Sequence, residues 1–277
     1  MTDATNFIPG APCWIDVSTP DPAGSREFYA NLLGWTYRID PDPQTGHYTH
    51  ALLGGRPVAG LGGIAAEPQQ PVVWTVYLAS ADIAHTAAAI EQHGGALLYG
   101  PVEVPGQGHM LIGADPTGCQ TGFWQPTISW IFRYEEAGAF CLAELNTWYG
   151  TAADEFFARL FGYRQQQIGD AGRLDYTSWT LGGQTSLGRL QLGPEYPAET
   201  APHWLPHFAI DPESGIDAET YRAVKLGGQV RVDPYDSGLG RASVIDDPFG
   251  ATFALLDASR VSRTEGGTAG VDDPYDD

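Results

Sequence analysis

Residues 28–35 read FYANLLGW and residues 156–163 read FFARLFGY, one phrase written twice, 128 positions apart. The offset persists outside the phrase. Upstream, Cys13-Trp14-Ile15-Asp16 meets Cys141-Leu142-Ala143-Glu144; downstream, Tyr48-Thr49 and Gly54-Gly55 meet Tyr176-Thr177 and Gly182-Gly183. Further along it drifts by a few residues, as loops of unequal length dictate. PVVWTVYLASAD (71–82) meets PHWLPHFAID (202–211), GGALLYGP (94–101) meets GGQVRVDP (227–234), and ADPTG (114–118) meets DDPFG (246–250). Such a chain is a duplicated domain, and each copy must fold into the same unit. With 277 residues in all, each copy has about 130 from which to build a core.

Within the first copy, CWIDVST (13–19) alternates as a strand, and Asp21-Pro22 supplies an N-cap and first-turn proline. SREFYANLL comes next with Phe28, Tyr29, Leu32 and Leu33 on one helical stripe, and Gly34 ends it. A hairpin succeeds it, YTHALL (48–53), Gly54-Gly55 and PVAGLGGI (57–64). Then the order begins again, with strand VVWTVYLA (72–79) and helix DIAHTAAAIEQHGG (82–95), capped by Asp82 and stopped by glycine. Strands HMLIGA (109–114) and CQTGFW (119–124) flank the turn Asp115-Pro116-Thr117-Gly118. The expected fold is α+β: two tandem domains, each of paired βαβββ modules forming a curved mixed sheet around a cavity. The domains are assigned to 1–126 and 139–258. A linker at 127–138 joins them, its aromatics predicting that it packs down, and an acidic, solvated tail occupies 259–277.

Charge and composition exclude several roles. A net charge of −20 opposes nucleic acid or an anionic membrane as partner. No run approaches the roughly 20 apolar residues of a membrane span, and MTDATNFIPG lacks the regions of a signal peptide. Three cysteines without metal-type spacing predict neither a disulfide scaffold nor a zinc site, and a reducing cytoplasm is the expected compartment.

Period-two alternation assigns the strand faces. Cys13, Ile15 and Val17 belong under the helix, which sends Trp14, Asp16 and Ser18 to the concave face. Tyr77, Gln120 and Trp124 join them there. In the second copy the same rule turns Leu142, Glu144, Asn146, His207 and Thr252 inward. A mixed aromatic and polar face suits a small-molecule pocket, although half-exposed sheets are also commonly just wet.

These pieces, twice and in order, carry a resemblance. The first strand with Asp21…Phe28-Tyr29…Leu33-Gly34-Trp35 after it, the Gly94-Gly95 stop and Asp115-Pro116-Thr117-Gly118 are similar to the vicinal oxygen chelate superfamily. So are their counterparts Phe156-Phe157…Phe161-Gly162-Tyr163, Gly227-Gly228 and Asp247-Pro248-Phe249-Gly250. That superfamily includes glyoxalase I, extradiol dioxygenases and bleomycin-resistance proteins, and the chain resembles its tandem two-domain members of actinobacterial type. Metal-dependent members carry His, Gln or Glu on the first strand, often His on the fifth, and Glu on the last. The resemblance puts those positions at Trp14, Thr75 and Gly122, and at Leu142, Leu205 and Ala254. None is a plausible divalent-metal ligand, so neither a metal nor any other cofactor is expected.

What remains for chemistry is Asp16 with Ser18 in one cavity, and Glu144 with Asn146 and His207 in the other. A carboxylate walled by aromatics has its charged form disfavoured and drifts toward the pKa of a useful base; it can equally accept structural hydrogen bonds. A Glu144–His207 pair would share a proton near neutrality, suiting the second domain to proton transfer and the more aromatic first domain to holding a flat ligand. Two functions fit. One is a metal-free enzyme of lyase, isomerase or hydroxylase type, with Asp16, Glu144 and His207 as catalytic candidates, acting on an apolar aromatic or polyketide-like metabolite of natural-product biosynthesis, resistance or detoxification. The other is a pure sequestering protein. A glyoxalase-like metalloenzyme with atypical ligands is the weaker third. The expected partner is that small metabolite, and the chain is expected as a monomer with intrachain domain pairing or as a homodimer.

Overall fold

The protein is described here by a computed structural model covering residues 8–64, 72–168, 174–182 and 184–260. The expected acidic tail lies, from residue 261 on, outside the described residues. The first module runs β1 (Pro12–Thr19), α1 (Pro22–Leu33), β2 (Thr36–Ile39), β3 (Thr49–Leu53) and β4 (Arg56–Gly63). The second runs β5 (Val73–Ala79), α2 (Ile83–Gln92), β6 (Ala96–Val104), β7 (Gly108–Ala114) and β8 (Gln120–Pro126). The other half repeats the order: β9 (Phe140–Thr147), α3 (Gly150–Phe161), β10 (Arg164–Ile168), β11 (Tyr176–Leu181), β12 (Gln184–Gln191), then β13 (His203–Ala209), α4 (Ile216–Lys225), β14 (Gln229–Ser237), β15 (Gly240–Asp246) and β16 (Thr252–Asp257).

Each half makes one eight-stranded mixed sheet, in the orders β2-β3-β4-β1-β5-β8-β7-β6 and β10-β11-β12-β9-β13-β16-β15-β14. The modules of a sheet meet where β1 lies antiparallel to β5, while β1 with β4 and β5 with β8 are parallel. Local signals act as the sequence predicts. The Asp21 side chain accepts hydrogen bonds from the Ala23 and Gly24 N–H groups, and Gly34 closes α1 in the left-handed region at φ 75°. Four strands carry no clear sequence signal, β2 and β6 and their counterparts β10 and β14. Each is an edge strand with mostly exposed or half-exposed side chains, so none carries a buried stripe, and β6 accommodates Pro101 as edges can.

The helix-covered faces of the two sheets do not form separate cores. Tyr29 of α1 packs 5.5 Å from Trp74 of its own sheet and 5.7 Å from Phe253 of the other. Phe208 of β13 sits 5.5 Å from Trp35 and 5.3 Å from Trp74, and Phe161 of α3 stacks on Phe123 of β8. Two hydrogen bonds cross the same layer, Tyr29 Oη to Asp247 Oδ2 (3.0 Å) and Trp204 Nε1 to Thr121 Oγ1 (2.9 Å). One aromatic layer therefore serves both halves, which leaves each concave face free for other work.

A shared core predicts shared unfolding. Phe253→Ala should cost about 3–5 kcal/mol and move the whole urea transition, monitored by tryptophan fluorescence and circular dichroism together. Two separated transitions, with only one displaced, would show the halves to be independent.

Candidate functional site

In the second half the concave face encloses a cavity of about 1010 Å³. β9 contributes Glu144 and Asn146, β13 contributes His207 and Leu205, and β16 contributes Thr252 and Leu256. Apolar walls come from Trp148, Val232, Tyr235 and Val244. Of the residues expected inward, Glu144, Asn146, His207 and Thr252 meet in this one space. Leu142 does not line it; it is buried in register beside His207.

Burial sets the protonation states. Glu144, with an Asn146 hydrogen bond only partly opposing the desolvation, is pushed up to about 7, and desolvation lowers His207 to about 4. His207 Nδ1 lies 3.2 Å from the Leu205 carbonyl oxygen, which can only accept. The proton is therefore on Nδ1, and Nε2 is the basic nitrogen. This corrects the expectation of a Glu144–His207 pair sharing a proton: among the described residues no hydrogen bond joins them. Burial instead favours the uncharged form of each, an acid and a base lining one chamber. Thr252 is also less free than its position implied, since its hydroxyl donates to Asp246 Oδ1 at 2.7 Å.

Tyr176 is the functional candidate that strand alternation alone did not find. It lines the cavity, and a Cβ on Gly188, opposite Glu144 in the sheet, would fall 1.9 Å from its hydroxyl. The first half repeats the device, with Gly60 opposite Asp16 and 1.8 Å to the Tyr48 hydroxyl. The recurring Tyr48/Tyr176 pair at the duplication offset was the available signal. Beneath Tyr176, Arg189 is buried where the first copy has Leu61, binding Asp154 (2.6 Å) and Asp175 (2.7 Å). Asp175 itself lines the cavity.

The first half uses its concave face differently. Tyr48 and Tyr77 donate to Asp16 Oδ2 at 3.0 and 3.1 Å, Trp14 donates to Tyr48, and burial pushes Asp16 up to about 6. The Tyr77 ring lies against Gly122, where a Cβ would be 2.3 Å away. Trp14 and Trp124 were expected to wall a flat ligand. They are covered by the linker's own Trp130, 5.4 Å and 4.8 Å away, and Phe132 packs 5.8 Å from Trp14. Ser18 is half-buried and Gln120 is exposed; neither lines this half's cleft of about 430 Å³, which Trp14 does. The aromatic face expected to hold a ligand is thus largely satisfied by its own chain.

The metal implied by the superfamily resemblance does not fit these residues. The first-strand and last-strand positions Trp14, Gly122, Leu142 and Ala254 offer no donor, and Thr75 and Leu205 complete neither set. Among the described residues no group of three His, Cys, Asp or Glu side chains could hold an ion.

Burial at these two groups makes stability depend on pH. Folded Glu144 keeps a proton up to about pH 7 that the unfolded chain loses near 4.5, so this group removes stability as pH rises between those values. His207, at about 4 against 6.5, adds stability as pH rises from 4 to 6.5. The two largely cancel in wild type. Glu144→Gln should therefore gain on wild type from pH 4.5 to 7, by up to ~3 kcal/mol in urea unfolding; a pH-independent difference contradicts the burial argument. Arg189→Leu, which strands Asp154 and Asp175, should cost about 3–5 kcal/mol in the same measurement.

Known proteins carry the same design. The model of the Glyoxalase/Bleomycin resistance protein/Dioxygenase superfamily matches residues 13–123. The chain is 32% identical to the anthracycline biosynthesis protein DnrV of Streptomyces peucetius over 267 residues, covering 91% of this chain and 95% of that protein. It is 29% identical to the putative glyoxylase CFP32 of Mycobacterium tuberculosis over 262 residues, 92% and 98% of the respective chains. Among solved structures, the Mn(II)-bound glyoxalase from Novosphingobium aromaticivorans has a TM-score of 0.62 at 15% identity, covering 92% of this chain and 86% of that one. The 2,2',3-trihydroxybiphenyl 1,2-dioxygenase from Sphingomonas wittichii strain RW1 has the same score at 12% identity, covering 90% of each; both are likenesses of fold. With a duplicated βαβββ architecture, a matching family model and a full-length relative, this chain belongs to the glyoxalase/bleomycin resistance protein/dioxygenase superfamily.

Proposed function

We propose that the second-half cavity binds a flat, largely apolar metabolite of polyketide type, and that Glu144 and His207 perform metal-independent acid–base chemistry on it. The carrying observation is the cavity itself: about 1010 Å³, partly apolar walls, and Glu144 and His207 facing it with burial favouring the uncharged form of each, beside other polar lining such as Asp175, Glu195, His203 and Arg231. Small-molecule sites typically hold about 300–1,000 Å³, so the space suits a multi-ring ligand. Relatedness to DnrV, named for anthracycline biosynthesis, supports the ligand class.

The reaction suited to these groups is enolisation of a carbonyl-bearing ring. His207 Nε2 takes a proton from the carbon beside the carbonyl while the Glu144 carboxyl delivers one to its oxygen. The C–H pair becomes the new C=C bond and the carbonyl becomes an enol; return of a proton from imidazolium to carboxylate resets the site. Asn146 and the Tyr176 hydroxyl are placed to orient the polar edge of the ligand. The free thiols Cys13, Cys119 and Cys141 suit a reducing cytoplasm, and among the described residues no helix is long and apolar enough to cross a membrane.

The test uses 1,4-dihydroxyanthraquinone as binding probe and solvent-deuterium exchange into 1-tetralone as the chemical readout. Leu205→Trp, which fills the cavity, should weaken probe binding at least tenfold by calorimetry. Glu144→Gln and His207→Gln should bind within a few-fold of wild type yet lose about 10²–10⁴ in exchange rate. Unchanged probe affinity in Leu205→Trp sinks the cavity assignment. Wild-type exchange in both polar variants removes the catalytic roles and leaves a sequestering protein.

A further inference from the structure

Between β8 and β9 the chain crosses the first half as a strap. Backbone hydrogen bonds pin it at Thr127, whose N–H donates to the Gln107 carbonyl, and at Arg133, whose N–H donates to Pro57. From Ile128 to Phe132, no strap N–H donates to a backbone carbonyl among the described residues. Side chains hold this stretch instead. The Trp130 indole N–H donates to the Cys13 carbonyl at 3.0 Å, and its ring rests 4.8 Å from Trp124 and 5.4 Å from Trp14. Ile128 and Ile131 turn outward, 53% and 46% exposed.

Two features beneath and beside the strap are unexplained by packing alone. The Trp124 indole N–H is buried and meets no acceptor, a state that costs about 1–3 kcal/mol. A cleft of about 430 Å³ opens along the strap, lined by Trp14, Arg38 and His50 with Ile128, Trp130 and Ile131. Trp130 therefore sits between an open cleft and an aromatic seat that offers one unsatisfied donor.

We propose that the first half holds a second ligand site, filled in the free chain by the Trp130 indole as an internal stand-in. A planar, carbonyl-bearing aromatic takes the indole's place on Trp14 and Trp124, its carbonyl oxygen accepting from the Trp124 N–H. The strap swings out over residues 128–132, and the cleft is the route of entry. The ligand class rests on the proposed function, and the two cavities are read separately in the test.

The experiment titrates the full chain with 1,4-dihydroxyanthraquinone, measuring stoichiometry by calorimetry and strap exposure by amide hydrogen exchange. Wild type should bind one probe tightly and a second at least tenfold more weakly, the second event alone accelerating exchange at 128–132. Trp130→Gly should strengthen the second event at least tenfold, giving two tight sites per chain, whereas Trp130→Phe keeps the seat filled and the second event weak. In the Leu205→Trp background only the strap-linked site should remain. One site in wild type and still one in Trp130→Gly overturns the second site while leaving the proposed function standing. Strap-linked binding with no second-half binding overturns the proposed cavity but supports this one, and no probe binding in any variant overturns both.

Discussion

The aromatic layer between the two sheets governs everything else in this molecule. Tyr29, Trp35, Trp74, Phe208 and Phe253 interlock, with Tyr29 stacked on Trp35 and edge-to-face pairs crossing between the halves, so each sheet commits its helix-covered side to the other half. Aromatic pairs of this kind add about 0.5–1.5 kcal/mol each beyond the area they bury. With that side spent, the concave side of each sheet is the one surface that can vary without unmaking the fold. Duplication then supplies two such surfaces under the same constraint, free to diverge.

They have diverged in side-chain volume and in the segment that leaves the last strand. The first copy carries Trp14, Tyr77 and Trp124 where the second carries Leu142, His207 and Leu256, and large rings fill a trough that smaller side chains leave open. The first copy also runs on into PTISWIF, whose Trp130 and Phe132 fold back over Trp14. The second runs on into ASRVSRTEGG, with no aromatic residue within reach of the same place in the sequence. One backbone design thus gives a packed copy and a hollow one. In the hollow copy Arg189 stands where the first copy has Leu61, so a buried ion cluster occupies a place that an apolar side chain fills in the first.

Much of this was legible in the sequence because the signals were local and repeated. The caps at Asp21 and Asp82, the left-handed Gly34 and the alternating faces of β1 and β5 each arise from a few neighbouring residues, and the duplication doubled every signal. Strands β2 and β6 and their counterparts β10 and β14 were not legible, because edge strands with mostly exposed or half-exposed side chains show no periodic stripe. The inward carboxylates were legible from period two alone. What alternation could not tell was which inward face would stay empty. Trp14, Tyr77 and Trp124 read as ligand walls because exposed aromatics are costly, and the same cost is equally met by Trp130 arriving from the linker. Nor could it tell that burial would favour the uncharged form of both Glu144 and His207. That depends on how completely the surrounding strands exclude water.

On the proposed reading, this bias toward uncharged forms also connects the hollow copy to a ligand class. An ionised Glu144 facing a protonated His207 would make a strongly polar chamber, selecting charged ligands and holding water. Desolvation here favours the uncharged form of each, and the His207 ring is held by the Leu205 carbonyl rather than by the carboxyl group. In that reading, the Glu144 acid and the His207 acceptor nitrogen are matched by an uncharged ligand that is itself part acceptor, part acid, as a ring ketone with an enolisable neighbour is. On the proposed reading, the same burial that strips these groups of charge tunes them for proton transfer, since a carboxyl near 7 is poised at the pH where it both holds and releases its proton. The site's chemistry then follows from the burial of these two groups, on strands whose opposite faces are locked into the shared aromatic layer.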